Sequence, residues 1–462
     1  MSTKSVLFFL SLLLSFSLAH GTVLDDFITL PDTSFDWEVH SHVEGEKSNI
    51  YLLKLTSQRW QSEQELSSIV WTHWLTIAIP HKLCTETAVL NIGNGVFSDG
   101  PPVITSGCLA DTFAGELHAI VGDVALVPNQ CLSFFDESDP RYTQSGRSED
   151  ALVAYTWDKF FKTTDSSWPL QLPMTKATVR AMDAIDAFMV NRLSKTPNGY
   201  LLVGASKRGW TAWLTAAVDA RVKGIIPLVF DALKFRSCLA NHYKAYGGWS
   251  FMLQDYIAMG IMDKTETLEF AALMKIQDPY EFKNRFTMPK YLINAAGDEF
   301  FLPDSSQLYF HDLPGKKYLR YIPNAGHYLT GTDCLSSAFT FAQAVVHDYR
   351  LPEITWHKDE ENVLRIQEDI PSLQVILWKA VNPEARDFRL STIGDSWEPE
   401  YLFPNEDSRE YTVKLHVPEK GWAAYFVELV FASRAVIFPL KFTTDVYVLP
   451  ETFPYQFPPN EE

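Results

Sequence analysis

Short apolar runs alternate with amphipathic stretches from about residue 50 to residue 350. Ile50–Leu55 and Trp71–Ile79 alternate apolar and polar positions as half-buried antiparallel strands do. Ala88–Ile92 is a short buried strand that runs into Gly93-Asn94-Gly95. The pattern next predicts a helix over Leu109–Val121 and a buried strand over Val124–Pro128. Two helices are predicted over Glu149–Lys162 and Thr175–Leu193, because apolar side chains recur there with helical period: Leu152, Val153, Tyr155, Trp157 and Phe160, then Val179, Met182, Ile185, Phe188 and Met189. Such stripes are core faces. Tyr200–Val203 and Gly224–Phe230 complete the series as buried strands. Alternating strands and helices imply an α/β fold with a mostly parallel sheet covered on both faces.

Residues 232–288 break the alternation. They are rich in helix formers and aromatics, among them Tyr243, Trp249, Tyr256 and Phe270. A helical cap over the sheet edge is one reading, and extra helical packing elsewhere is the other. After Arg350 the texture changes again. Gln374–Trp378, Phe388–Thr392, Tyr411–Val417, Trp422–Phe431 and Thr443–Leu449 read as short strands at regular spacing. They predict a small antiparallel β-sandwich over 351–450, about a hundred residues long. A domain over 21–350 precedes it, and a loose Pro-rich tail over 451–462 follows.

Residues 1–20 carry one early lysine, an apolar run, and small residues at Ser17 and Ala19, the pattern of an export signal cleaved near Ala19. An uncleaved anchor is the alternative, but the run is short for a span. No later segment is long and apolar enough to cross a bilayer, so an extracellular location is expected. The net charge is −18 with the acidic residues dispersed, which argues against nucleic acid and anionic membranes as partners. The five cysteines, Cys84, Cys108, Cys131, Cys238 and Cys334, leave at least one thiol unpaired, and sequence does not choose a pairing. No Cys or His spacing suggests a metal site, and no cofactor is expected. There is no N-glycosylation sequon.

The chemistry concentrates where the apolar run Tyr200–Val203 ends in Gly204-Ala205-Ser206 and a helical segment follows. Strand, sharp turn around a serine, then helix is the geometry of a nucleophile elbow. The usual glycine two residues after the serine is absent, since position 208 is Arg and the glycine stands at 209. Downstream, a strand runs into the Gly297-Asp298 turn, and another into Gly326-His327. Serine, acid and histidine in that chain order is the α/β-hydrolase order. Ser206 would be the nucleophile, Asp298 the acid and His327 the base. Glu299 and Asp231 are rivals for the acid. The oxyanion donors would be the backbone N–H of Lys207 and that of Gly93 or Asn94. Lys207 and Arg208 would either place positive charge near the site or pair with acids such as Asp298 or Glu299.

Several of these segments together resemble the PhoPQ-activated pathogenicity-related family. They are Gly204–Trp210, Trp168–Ala177, Glu149–Trp157, Ala296–Phe301 and Asn324–His327. The likeness spans roughly 25–450. It implies an α/β-hydrolase fold related to the prolyl-oligopeptidase group, with the displaced glycine as a family trait. The family also includes the secreted autocrine proliferation repressor of social amoebae, so the resemblance implies signalling as readily as turnover. Three functions follow as expectations. The first is hydrolysis of an ester or peptide bond. The second is an extracellular signal that slows proliferation through a cell-surface receptor or secreted partner. The third is a binding module that recruits a partner through the C-terminal region.

Overall fold

The structure, a computed structural model, describes residues 21–405, 409–434 and 438–457. The export signal at 1–20 lies outside the described residues. Helix α1 (Val23–Thr29) leads into three antiparallel strands, β1 (Asp36–Glu44), β2 (Ser48–Arg59) and β3 (Val70–Pro80). The parallel part begins with β4 (Thr87–Ile92), α2 (Leu109–Leu117) and β5 (Val121–Val124). It continues through α3 (Glu149–Thr163), α4 (Gln171–Leu193), β6 (Gly199–Ala205), α5 (Lys207–Val218) and β7 (Val222–Leu228). Helices α6 (Phe235–Tyr246), α7 (Gln254–Ala258) and α8 (Leu268–Gln277) precede β8 (Lys290–Ala295), and β9 (Lys317–Ile322) and α9 (Cys334–Val346) close this part. The sheet order is β1-β2-β3-β5-β4-β6-β7-β8-β9, with every pair from β5 to β9 parallel.

Successive side chains on β6 serve opposite faces, as a pleated strand requires. Tyr200 and Leu202 join the core under α4 and α5, with Met182, Ile185 and Trp213. Leu201 joins the core under α2 and α9, with Leu117, Phe339 and Phe341. Both faces are covered, and the result is an α/β-hydrolase fold.

Two expected elements end early. α2 stops at Leu117 because His118 takes a left-handed conformation (φ 48°). The strand lies over Val121–Val124 rather than Val124–Pro128, because the chain leaves the sheet at Leu126 (φ 64°). Leu126 and Val127 are buried all the same, which is why their apolar run resembles a strand.

The C-terminal residues form β10 (Ile354–Lys358), β11 (Val363–Glu368), β12 (Gln374–Asn382), α10 (Leu390–Ile393), β13 (Glu398–Leu402), β14 (Glu410–Lys414), β15 (Trp422–Phe431), β16 (Leu440–Thr443) and β17 (Tyr447–Leu449). Among the described residues, only β10, β11 and β14 make a separate sheet. β16 pairs with β9 through Thr443 and Leu319, so β16, β15, β12 and β13 extend the large sheet, and β17 joins it beside β15. Phe388–Thr392 is not a strand, because Asp387 accepts hydrogen bonds from Arg389 N (3.1 Å) and Thr392 Oγ1 (3.0 Å) and turns the chain into α10. Thr443–Leu449 is broken in two at buried Asp445, which accepts from Ser306 (2.9 Å) and Trp356 (3.0 Å) and pairs with His311 (2.6 Å). The described part of the tail is not loose: Tyr455 N donates to Lys244 O (3.1 Å), and the Phe457 ring sits 5.4 Å from Tyr243 on α6.

Candidate active site

Ser206 stands between β6 and α5 with φ 55° and ψ −125°, a region costly for any side-chain-bearing residue. Two neighbouring glycines make that turn sterically admissible. A Cβ on Gly204 would lie 2.6 Å from the Arg208 carbonyl carbon, and one on Gly209 would lie 3.0 Å from Gly204 O and 3.2 Å from Leu228 O. The close approach after the serine therefore falls at 209 and leaves 208 free to carry a side chain. The Ser206 N–H donates to Leu228 O (2.7 Å), which ties the elbow to β7.

The three residues singled out in sequence meet at hydrogen-bond distance. Ser206 Oγ lies 3.0 Å from His327 Nε2, and His327 Nδ1 lies 2.9 and 3.0 Å from the two Asp298 oxygens. Asp298 is 3% exposed and His327 6%. A carboxylate at Nδ1 assigns the ring proton to that nitrogen and leaves Nε2 to accept from the serine hydroxyl. Asp298 Oδ1 also accepts from Phe300 N (2.7 Å) and Phe301 N (3.3 Å), and the Phe300 ring packs 4.4 Å from the imidazole.

The rival acids have other work. Glu299 accepts from the backbone N–H of His327 (2.9 Å) and packs against Gly326, where a Cβ would stand 2.7 Å from its Oε1. Asp231 accepts from Tyr309 (2.5 Å) and Tyr321 (2.6 Å), and burial pushes its carboxyl up to about 7. Neither carboxylate bonds the imidazole.

Of the three backbone groups expected at the oxyanion, Gly93 is ruled out as a donor, because its N–H donates to Val124 O (2.8 Å) within the sheet. The N–H groups of Lys207 and Asn94 have no acceptor among the described residues. Lys207 opens α5, so its N–H carries the positive end of the helix.

The two basic side chains after the serine pair with acids other than the expected Asp298 and Glu299. Lys207 Nζ bonds Glu149 (2.7 Å) and Asp150 (3.1 Å). Arg208 makes a bidentate pair with Glu149 (2.7 and 2.5 Å) and donates from Nε to Val127 O (2.6 Å). These two cations hold the Glu149 carboxyl well below its usual range against the opposing effect of burial. Gln130 extends the network, since its side chain bonds Glu149 (2.7 Å) and Gly95 O (3.0 Å). The elbow is thereby tied to the loop that carries Asn94. Sequence reasoning missed this role for Glu149 and Gln130, although Glu149 opens one of the segments that carry the family likeness.

A second support comes from the C-terminal region. Leu390 N donates to Gly297 O (2.8 Å) beside the acid turn. Asn324, at φ 53° before the histidine, exchanges hydrogen bonds with the Trp397 backbone (2.8 and 3.0 Å). No sequence periodicity marks these contacts, which join residues more than seventy positions apart.

A cavity of about 60 Å³ opens at Ser206, walled by Trp157, Trp210, Phe230, Phe235, Tyr256 and Phe300. Residues 232–262 supply part of its wall, so the helical insertion does cover the serine. Two of its other polar side chains, His242 and Cys238, come from α6. His242 accepts from Ser250 N (3.0 Å) and burial holds it down to about 3, while burial pushes the Cys238 thiol up. All five cysteines are unpaired. Among the described residues, no group of three or more His, Cys, Asp or Glu would hold a metal ion, and no helix is long and apolar enough to cross a membrane.

Known proteins resemble this chain in sequence and in structure. The family model described as PhoPQ-activated pathogenicity-related protein matches residues 24–389. The chain is 34% identical to autocrine proliferation repressor protein A of Dictyostelium discoideum, over 98% of this chain and 95% of that protein. Among solved structures it is similar to acetyl xylan esterase 1 of a Thermoanaerobacterium species, with 14% identity, a TM-score of 0.46, and coverage of 70% of this chain and 91% of that one. It is also similar to the acetyl xylan esterase of a Paenibacillus species, with 13% identity, a TM-score of 0.45, and coverage of 70% and 92%.

Proposed function

The chain belongs to the PhoPQ-activated pathogenicity-related protein family, and on that premise we propose that it is an exported serine hydrolase acting on an ester or peptide bond. One observation carries the reading: the continuous hydrogen-bond chain from Ser206 Oγ through His327 to Asp298, set on a strained elbow. His327 Nε2 takes the hydroxyl proton as Ser206 attacks the acyl carbonyl, and later returns it to the leaving group. Asp298 fixes the tautomer and stabilises the imidazolium. The N–H groups of Lys207 and Asn94 stabilise the oxyanion.

The charges at Lys207 and Arg208 are already neutralised by Glu149 and Asp150, so a neutral acyl group is favoured over an anionic one. The small aromatic cavity favours a short acyl chain. Hydrolysis of 4-nitrophenyl acetate is expected to exceed that of the decanoate and to vanish in Ser206→Ala. Folded protein that hydrolyses neither, nor any peptide ester offered, would count against the reading.

A second reading has its own support in the 34% identity to a protein named as an autocrine proliferation repressor. Here the chain is an extracellular signal that slows division by engaging a receptor or a secreted partner. Purified wild-type and Ser206→Ala protein would be added to cells of the source organism and divisions counted. Equal slowing by both would make signalling independent of the serine, and no slowing by either would remove this reading.

A further inference from the structure

A second cavity, of about 380 Å³, lies on the α2 and α9 side of the sheet and shares no lining residue with the cavity at Ser206. Its size falls in the range of small-molecule sites, about 300–1,000 Å³. The floor is made by alternate residues of two adjacent parallel strands. Val89 and Asn91 come from β4, and Val121 and Asp123 come from β5. The register sets Val89 beside Val121 and Asn91 beside Asp123, so the floor is apolar at one end and polar at the other. Phe113 and Phe339 wall the apolar part. At the rim stand Val103, Leu109 and Leu335, which are 87%, 66% and 58% exposed. Exposed apolar side chains grouped around an apolar cavity mark a binding site more often than scattered ones do.

The polar end is a hydrogen-bonded pair of half-buried side chains. Asn91 Nδ2 donates to Asp123 Oδ1 (2.5 Å). Asn91 Oδ1 and Asp123 Oδ2 have no protein partner among the described residues. Burial raises the Asp123 carboxyl above its ordinary value. No lysine or arginine lines the cavity, so an anionic head group would find no counter-charge and would face a carboxyl.

We propose that this cavity binds a single-chain amphiphile with a neutral hydroxyl head, its head on Asn91 and Asp123 and its chain along Val89 and Val121. The site is independent of the hydrolytic reading. The test is displacement of the neutral dye Nile red from purified protein by 1-decanol or by decanoate, with wild type, Ser206→Ala, Ala342→Phe and Leu335→Glu compared. Saturable one-to-one binding of 1-decanol is expected, with decanoate weaker by about tenfold or more for want of a counter-charge. Ser206→Ala is expected to bind as wild type does. Ala342→Phe fills the cavity and is expected to weaken binding by about tenfold. Leu335→Glu puts a charge on the exposed rim without disturbing the core, so it reads the site even if the filled variant fails to fold. Absence of saturable 1-decanol binding, equal binding of decanol and decanoate, or binding unchanged in Leu335→Glu would each overturn the proposal.

Discussion

Strands β7 and β8 lie side by side and parallel, and each ends three residues before a buried aspartate, Asp231 after one and Asp298 after the other. Their surroundings differ completely. Asp298 accepts from an imidazole and two backbone N–H groups, while Asp231 accepts from two tyrosine hydroxyls deep in the core. A strand end offers a place for an acid but does not supply its partner. The histidine loop makes the choice. It is aimed at Asp298 because Glu299 holds the His327 backbone and Trp397 holds Asn324.

The largest effect that separates the two aspartates should be kinetic. Asp298→Asn is expected to slow acylation of Ser206 by about 10⁴-fold, through loss of the correct tautomer. Asp231→Asn should leave the rate nearly unchanged. Comparable losses in both would erase the distinction.

The next effect should appear in stability against pH. The folded Asp231 carboxyl, at about 7, is raised above its ordinary 3.8. A raised acid contributes stability below the unfolded value and loses it as pH rises through the folded one. Denaturant unfolding should therefore show wild type losing up to about 4 kcal/mol relative to Asp231→Asn between pH 4 and pH 8. A parallel pH dependence in the two proteins would refute the assignment.

Tyr321→Phe removes one donor to Asp231 and should cost about 1–3 kcal/mol without changing the acylation rate. The smallest effect is expected from Asn324→Ala. It loosens the histidine loop, lowering kcat by a few-fold with KM unchanged, and should cost about 1 kcal/mol in stability. A change in KM alone would mean that Asn324 shapes the cavity and not the loop.

What the sequence made legible was local or periodic. The elbow, the Gly-Asp turn and the Gly-His turn each sit at the end of an apolar run, and the chain order identifies them together. The displaced glycine looks irregular in sequence, yet the structure gives it a steric reason at Gly209. The parallel strands and the covering helices were visible because their apolar positions repeat. What was hidden depends on distant partners. Gly93 looked like an oxyanion donor until its N–H was seen bonded to Val124 across the sheet. Lys207 and Arg208 found Glu149, almost sixty positions earlier, instead of the acids near the histidine. The C-terminal strands read as a separate sandwich because alternation reports a half-buried face but not which sheet a strand joins. A single pairing, Thr443 with Leu319, carries five of them onto the large sheet.

The most direct test is covalent labelling of purified protein by a fluorophosphonate, with the modified residue located by mass spectrometry. Labelling at Ser206 that disappears in His327→Ala and slows severely in Asp298→Asn is the predicted result. Folded protein that stays unlabelled, or that labels equally without His327, would contradict the claim that these three residues form a working triad.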